Sequence, residues 1–209
     1  MPTEEKSIPS LKEAIDIWEK GIICRRQKPY GFDLEEEYRF HTQGVASAAR
    51  KIAELLPNLD PEKAYILGLL HDYGKKVSEN IEGIFHGKVG YESMMSMGYY
   101  DVAKICLTHT FAEKTFDNDN YNYPQQWLDW VRITLDNITY DDYDYLIALA
   151  DKFFEGMSMV TIEDRVLGII KRYKINENQI KYFTEQSLRL KKYFDDKTGH
   201  DIYKILNIK

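Results

Sequence analysis

The heptapeptide Leu69-Leu70-His71-Asp72-Tyr73-Gly74-Lys75 closes an apolar run that begins at Ala64, and it carries the strongest structural signal in the chain. Such a run predicts a buried helix, and the glycine after it is typical of a helix end. A histidine beside an aspartate offers an imidazole nitrogen and a carboxylate to one cation. On a regular helix the two side chains would point about 100° apart, whereas at a helix end they can converge on one ion or flank two. The heptapeptide therefore predicts a metal site at the end of a buried helix.

His41 is the candidate ligand upstream of the heptapeptide. It lies in a predicted helix from Asp33 to Leu56, which Asp33 and Glu36 would open as a cap and its partner three residues later. The apolar residues of this helix recur at helical spacing and are Val45, Ala48, Ala49, Ile52 and Leu55. Because His41 precedes Val45 by about one helical turn, it is predicted to lie on or beside the buried face.

Three more candidate ligands lie downstream. His86 falls in a predicted loop at 81–87, His109 ends a predicted helix at 102–109, and Asp151 follows an apolar run at 146–150. A set for one metal ion would contain His41, His71, Asp72 and Asp151. A set for two ions, about 3.5–4 Å apart, would add His86 and His109, with Asp72 bridging the ions. Mixed imidazole and carboxylate ligands suit iron, manganese, zinc or cobalt rather than calcium.

The rest of the chain is predicted to be helical almost throughout, which indicates an all-α fold. Besides the helices named above, helical patterns cover 9–24, 125–136, 141–155, 162–173 and 176–195, with a short closing helix after Phe194. Ser10 and Asp101 are predicted caps, and a short helix that ends at Gly98 is predicted to bury Met94, Met95 and Met97. No strands or repeats are predicted. Residues 1–209 are interpreted as one domain, with a metal-binding core at about 38–155 and C-terminal helices at 156–209 packed on it.

The composition limits the classes of partner. The chain has 209 residues, 30% of them charged, and a formal net charge of -6 without a basic stripe, which argues against a nucleic-acid partner. No run approaches the roughly 18–20 apolar residues of a membrane span. The polar first residues have no apolar segment behind them, and Cys24 and Cys106 form no CxxC motif, so a cytoplasmic protein with buried free thiols is predicted. The absence of GxGxxG and GxxxxGK[ST] excludes a pyridine-nucleotide fingerprint and a P-loop.

The order H…HD…H…H…D, with Gly-Lys after the HD pair, resembles the HD-domain superfamily of metal-dependent phosphohydrolases, and the resemblance runs from about Tyr38 to Glu155. It implies a single helical bundle with a central metal site. The positions that match the family's first metal site are His41, His71, Asp72 and Asp151. His86 and His109 match the extra ligands of a dinuclear branch, which includes the bacterial hydrolases of symmetrical diadenosine tetraphosphate. The resemblance also implies that Lys75 contacts a substrate phosphate or orients Asp72.

The expected function is hydrolysis of a nucleotide or a related phosphate ester or anhydride by attack of a metal-bound hydroxide, with Asp72 and Lys75 as the catalytic residues. The expected cofactors are two divalent transition metals, with iron first and manganese, zinc, cobalt or nickel also compatible. The expected partner is a small phosphorylated molecule, and the chain would be a monomer or a homodimer.

Two other functions remain open at the level of sequence. An HD-type di-iron oxygenase would use the same six residues, so the motif does not separate it from a hydrolase; oxygen consumption with an organic substrate would. A non-catalytic nucleotide-binding module would show stabilisation by its ligand without turnover.

Overall fold

The computed structural model describes residues 6–26, 35–77, 85–172 and 175–209, and it confirms an all-α fold. The helices are α1 Leu11–Arg26, α2 Glu35–Ala53, α3 Pro61–Leu70, α4 Gly74–Val77, α5 His86–Ser96, α6 Tyr100–Thr108, α7 Gln125–Asp136, α8 Asp142–Asp151, α9 Ile162–Arg172, α10 Glu177–Thr198 and α11 Ile202–Leu206. A 3-10 turn at Asn118–Asn120 and two short strands, β1 Phe154–Glu155 and β2 Ser158–Met159, complete the elements of these segments. None of the helices in these segments is long and apolar enough to cross a membrane.

Helices α2, α3 and α8 form the centre of the main core. Val45, Ala49, Leu67 and Leu149 are fully or almost fully buried there. Helix α3 approaches α2 at Gly68, where an added Cβ would lie 2.7 Å from the Cα of Ala46. Only a glycine allows this backbone approach, and it brings the residues that follow α3 close to the middle of α2.

A second, aromatic cluster packs beside this core, between α6, α7 and the residues that precede them. Its buried members are Phe85, Leu107, Phe111, Tyr121, Leu128, Val131, Leu135 and Ile138. Phe85 precedes α5, and its ring lies 5.6 Å from that of Phe111. The start of α5 and the end of α6 are therefore anchored in the same cluster.

A charge network joins α6 to α8, with Lys104 and Asp144 buried and Asp141 exposed. The Nζ of Lys104 lies 2.8 Å from a carboxylate oxygen of Asp141 and 2.9 Å from one of Asp144. Asp144 also accepts a 2.7 Å hydrogen bond from the hydroxyl of Thr108, and it closes a capping box with Asp141 at the start of α8. The network fixes the position of α8 against the last turn of α6.

The hairpin of β1 and β2 is a departure from the sequence prediction, which extended the preceding helix to residue 155 and contained no strands. Phe154 pairs with Met159 and Glu155 with Ser158, in antiparallel register. Gly156, between the two strands, adopts a φ of 55°, a left-handed conformation that favours glycine. The predicted helix is therefore wrong beyond α8.

Other local predictions were also wrong. Gly74 does not mark the end of α3, which ends at Leu70, but begins α4. His86 is the first residue of α5 rather than part of a loop. Asp101 does not cap α6, because the helix already starts at Tyr100. The carboxylate of Asp101 pairs instead with the Nζ of Lys63 at 2.7 Å. Leu55 is exposed since α2 ends at Ala53.

The predicted methionine core is reduced to one residue, because Met94 is buried whereas Met95 and Met97 are exposed. Cys106 is a buried free thiol, as predicted. The predicted cap Asp33, the first part of the predicted loop at 81–87 and the side chain of Cys24 lie outside what the structure describes.

Candidate metal centre

Four of the predicted ligands converge where α2, α3 and α8 meet. His41 projects from α2, His71 and Asp72 follow the last residue of α3, and Asp151 ends α8. The Nε2 of His41 lies 3.2 Å from the Nε2 of His71, 3.3 Å from the Oδ2 of Asp72 and 3.1 Å from the Oδ1 of Asp151. Ligand atoms about 2.1 Å from one ion are separated by roughly 3.0–3.4 Å, so this spacing fits a shared cation.

The remaining two predicted ligands lie on the other side of Asp72. The Nε2 atoms of His86 and His109 are 3.3 Å apart, and they lie 3.5 Å and 3.6 Å from the Oδ1 of Asp72. That oxygen is buried and has no hydrogen-bond partner among the described residues. A buried acceptor without a partner costs about 1–3 kcal/mol, which a bound cation would relieve. The two oxygens of Asp72 thus face two different groups of histidines.

Hydrogen bonds to helix carbonyls fix the tautomers of two of these histidines. The Nδ1 of His71 lies 2.7 Å from the carbonyl oxygen of Gly68, and the Nδ1 of His109 lies 2.9 Å from that of Ile105. A carbonyl oxygen can only accept, so each Nδ1 carries the hydrogen. The Nε2 of each neutral ring then presents its lone pair towards Asp72, which is the form that binds a metal.

Both carboxylates of the centre are held in the ionised form. Burial alone would raise the pKa of Asp72, but Lys75 and His71 outweigh it and hold that pKa well below the ordinary value. Burial is likewise outweighed at Asp151, where Lys152 and His41 keep the pKa well below the ordinary value. Ionised carboxylates are the form that binds cations.

The pKa values of His86 and His109 shift in the opposite direction from that of His71. Burial and the nearby Lys75 lower the pKa of His86 to about 4, and burial together with His71 lowers the pKa of His109 well below its ordinary value. Burial also opposes protonation of His71, but the carboxylates of Asp72 and Asp151 outweigh it and raise the pKa of that residue to about 9. Without a metal, a proton on His71 therefore compensates part of the negative charge.

Two lysines contact the carboxylates directly. The Nζ of Lys75 lies 2.5 Å from the Oδ2 of Asp72, with 40% of its side chain exposed. The Nζ of Lys152 lies 2.8 Å from the Oδ2 of Asp151. Sequence reasoning missed Lys152, as it missed Thr110, whose hydroxyl lies 3.2 Å from the Nε2 of His109. The only signal for either residue was its position directly after a candidate ligand.

Glycine at position 74 is needed to bring His86 to the centre. A Cβ at Gly74 would lie 1.9 Å from the carbonyl oxygen of His86 and 2.8 Å from the amide nitrogen of Gly90. These are backbone atoms of α5, which no side-chain rotation can move away. The glycine of the heptapeptide therefore permits the contact between α4 and α5 that places His86 opposite Asp72.

A model of the HD domain family matches residues 38–173, about two thirds of the chain, and the match includes all six predicted ligands. The chain belongs to the HD domain family. Members of this family are generally metal-dependent phosphohydrolases. Two groups in the structure could each hold a metal ion, namely His41 with His71 and Asp151, and His71 with Asp72 and His109. No curated protein and no solved structure shows a significant match to the chain.

Proposed function

We propose that this HD domain is a phosphohydrolase with a two-ion centre, acting on a nucleotide or a related phosphate ester or anhydride. One divalent transition metal would be held by His41, His71, Asp72 and Asp151, and the second by Asp72, His86 and His109. The observation that carries the proposal is the position of Asp72, whose Oδ2 faces the first group of ligands at 3.3–3.4 Å and whose Oδ1 faces the second at 3.5–3.6 Å.

The donor set fits transition metals. Imidazole nitrogens with carboxylate oxygens suit iron, which we propose first, and also manganese, zinc, cobalt or nickel. In the second group, two neutral imidazoles face each other with their Nε2 atoms 3.3 Å apart and an unpartnered carboxylate oxygen beside them. A cation between these three atoms would be ligated by both imidazoles and by the carboxylate oxygen.

Bound metals would lower the pKa of a coordinated water towards about 7 and polarise a phosphoryl oxygen. The protein's own contribution begins with Asp72, which stays ionised and is oriented by Lys75. The partly exposed ammonium of Lys75 would also contact a substrate phosphoryl oxygen and offset the charge that develops there. Lys152 would hold Asp151 through the carboxylate oxygen that does not face His41.

A nucleotide is the proposed substrate because the order of the six residues is similar to that of the bacterial hydrolases of symmetrical diadenosine tetraphosphate. The overall charge of -6 would repel such a substrate, so attraction has to be local. Lys75 and Lys152, both at the centre, provide this local positive charge.

The test combines metal content with turnover. We expect about two transition-metal ions per chain by elemental analysis, and phosphate release from at least one member of a panel that contains nucleoside polyphosphates and diadenosine tetraphosphate. Asp72→Ala should lose both ions and all turnover. His109→Ala should retain about one ion, since only the second group is damaged. Lys192→Ala serves as the control, because this exposed lysine of α10 pairs with Asp196 and with no other carboxylate in the described part of the chain.

Three outcomes would contradict the proposal. Full metal content and turnover in the Asp72→Ala variant would show that the centre is not where catalysis occurs. Iron-dependent oxygen consumption without phosphate release would favour an oxygenase. Stabilisation by nucleotides without metal or turnover would favour a binding module.

A further inference from the structure

A cavity of about 530 Å³ lies outside the metal centre, between the segment after α6, the start of α8 and the middle of α10. Its volume falls in the range of roughly 300–1,000 Å³ that is common for small-molecule sites. None of the six candidate metal ligands lines it. The cavity therefore belongs to a part of the molecule that the proposed hydrolysis does not use.

Aromatic rings form one wall of this cavity. The rings of Tyr140 and Tyr145 are 5.9 Å apart between centroids, and those of Tyr145 and Tyr193 are 5.8 Å apart. Leu190, which is almost fully buried, adds apolar surface. The planes of Tyr140 and Tyr145 are inclined by 46° and those of Tyr145 and Tyr193 by 66°, so a flat aromatic ligand can stack on one of these rings and meet the edge of its neighbour.

Two cations lie at the rim of the same cavity. Lys114 is exposed, its Nζ is 5.8 Å from the centre of the Tyr140 ring, and it pairs with no carboxylate in the described segments. Arg189 is exposed and uses one nitrogen to bind Glu113 at 2.7 Å, which leaves further N–H groups for an anion. Glu113 also lines the cavity and offsets the charge of Arg189, so the net positive charge at the edge of a ligand on the tyrosine wall comes from Lys114.

Hydrogen-bonding groups inside the cavity add specificity. Gln186 is almost fully buried and donates from Nε2 to the hydroxyl of Tyr182 at 3.0 Å. The hydroxyl of Tyr145 forms no hydrogen bond with any described residue. Burial and Asp144 raise the pKa of Tyr145, so at neutral pH this hydroxyl can donate.

We propose that this cavity binds a planar aromatic ring that carries an anionic group, the chemistry of a nucleoside monophosphate. The ring would stack on Tyr193 and meet the edge of Tyr145, and the anion would lie between Lys114 and Arg189. The site is separate from the metal centre, although Ala112 in its wall follows His109 by only three residues. Binding here does not depend on the proposed hydrolysis.

The test is calorimetric titration of adenosine 5′-monophosphate into the full chain as purified. Adenosine, which lacks the anion, and ribose 5-phosphate, which lacks the aromatic ring, should each bind about tenfold more weakly. Lys114→Gln and Arg189→Gln should each raise the Kd for the monophosphate about tenfold and leave the Kd for adenosine unchanged. Both residues are exposed, so these variants should fold normally.

A matched pair of variants tests the stacking surface. Tyr193→Ala should raise the Kd for the monophosphate about fivefold or more, whereas Tyr193→Phe keeps the ring and should change it less than about twofold. Tyr193→Phe loses the 2.5 Å hydrogen bond to Asp142, so it also reports the effect of that bond. Lys192→Gln, which removes the charge of an exposed lysine on the same helix, is the charge control.

The proposal would be overturned by no binding up to about 5 mM, or by equal effects of Lys192→Gln and Lys114→Gln. It would also be overturned if Asp72→Ala abolished binding while Lys114→Gln did not, because the nucleotide would then occupy the metal centre. Metal content and phosphate release, measured on the same preparations, report the proposed hydrolysis independently.

Discussion

Replacing Lys104 by Met should destabilise the fold by about 3 kcal/mol, because it removes the cation from a buried network. Only 5% of the Lys104 side chain is exposed, and its Nζ lies 2.9 Å from Asp144, whose side chain is fully buried. Methionine keeps most of the volume, so the loss is electrostatic. Breaking a buried pair by removing one partner costs roughly 3–5 kcal/mol.

The lower end of that range applies here for two reasons. Asp144 keeps 2.7 Å hydrogen bonds from the hydroxyl of Thr108 and from the amide of Asp141. It can also take up a proton, because burial already raises its pKa although Lys104 opposes this shift. A protonated Asp144 leaves no uncompensated charge. The expected loss is therefore larger at pH 8 than at pH 5.

Thermal unfolding and denaturant titration measure the effect. A chain of this length loses about 2–4 °C in Tm per kcal/mol, so Lys104→Met should lower the Tm by about 6–12 °C. The double variant Lys104→Met with Asp144→Asn should lose clearly less than the sum of the two single variants. Lys192→Met, whose side chain is 74% exposed, should lose less than about 1 kcal/mol. A loss below 1 kcal/mol for Lys104→Met, or additive single losses, would refute the electrostatic account.

Gly74→Ala should displace His86, since its Cβ would overlap the backbone of α5. We expect the free energy of unfolding to fall by about 1–3 kcal/mol and each chain to lose one metal ion, and unchanged metal content would refute this. Because the pKa of His71 is raised on folding, protonation of this residue stabilises the metal-free protein. The contribution is complete below pH 6.5 and is lost as the pH rises through about 9. Metal binding near pH 7.5 should release close to one proton from His71. Calorimetry in buffers of different ionisation enthalpy measures this release, and a binding enthalpy that does not depend on the buffer would contradict it. Phe154→Ala removes a buried ring that packs edge-on against His41. It should lower the free energy of unfolding by about 3–5 kcal/mol and reduce metal affinity. Unchanged metal affinity would show that His41 is positioned without this ring.

The sequence was sufficient to predict the fold class and the residues that meet at the centre. Helical periodicity marked the buried faces, and the candidate ligands fall near helix ends or on a buried face, where a pattern of apolar residues shows them. The glycines of the stretch 81–87, Gly83 and Gly87, predict a loop around His86, although Gly87 lies inside α5. Glycine signals a turn when only local propensity is considered, but here it allows close contact between helices.

Other features could not be predicted because they depend on contacts between distant segments. Lys104 and Asp144 are forty residues apart in the chain, and a buried lysine contradicts the usual expectation for charged residues. The hairpin after α8 rests on the conformation of Gly156 and on one pair of two-residue strands, which leave almost no periodic signal. The cavity at Tyr145 needs three segments to be assembled before it exists.

His71 and His109 both donate from Nδ1 to a carbonyl in the last turn of the helix they follow. This bond sets the direction of the Nε2 of each ring, and at Ile105 the carbonyl also accepts the backbone N–H of His109 at 3.1 Å. If the last turn of α3 or α6 frays, the Nε2 of the corresponding histidine is no longer held in the orientation that binds a metal ion. The strength with which the protein retains an ion should then follow the hydrogen-exchange protection of these two helix ends, so that proteolysis or chaperone engagement near them would release the ion before the fold is lost.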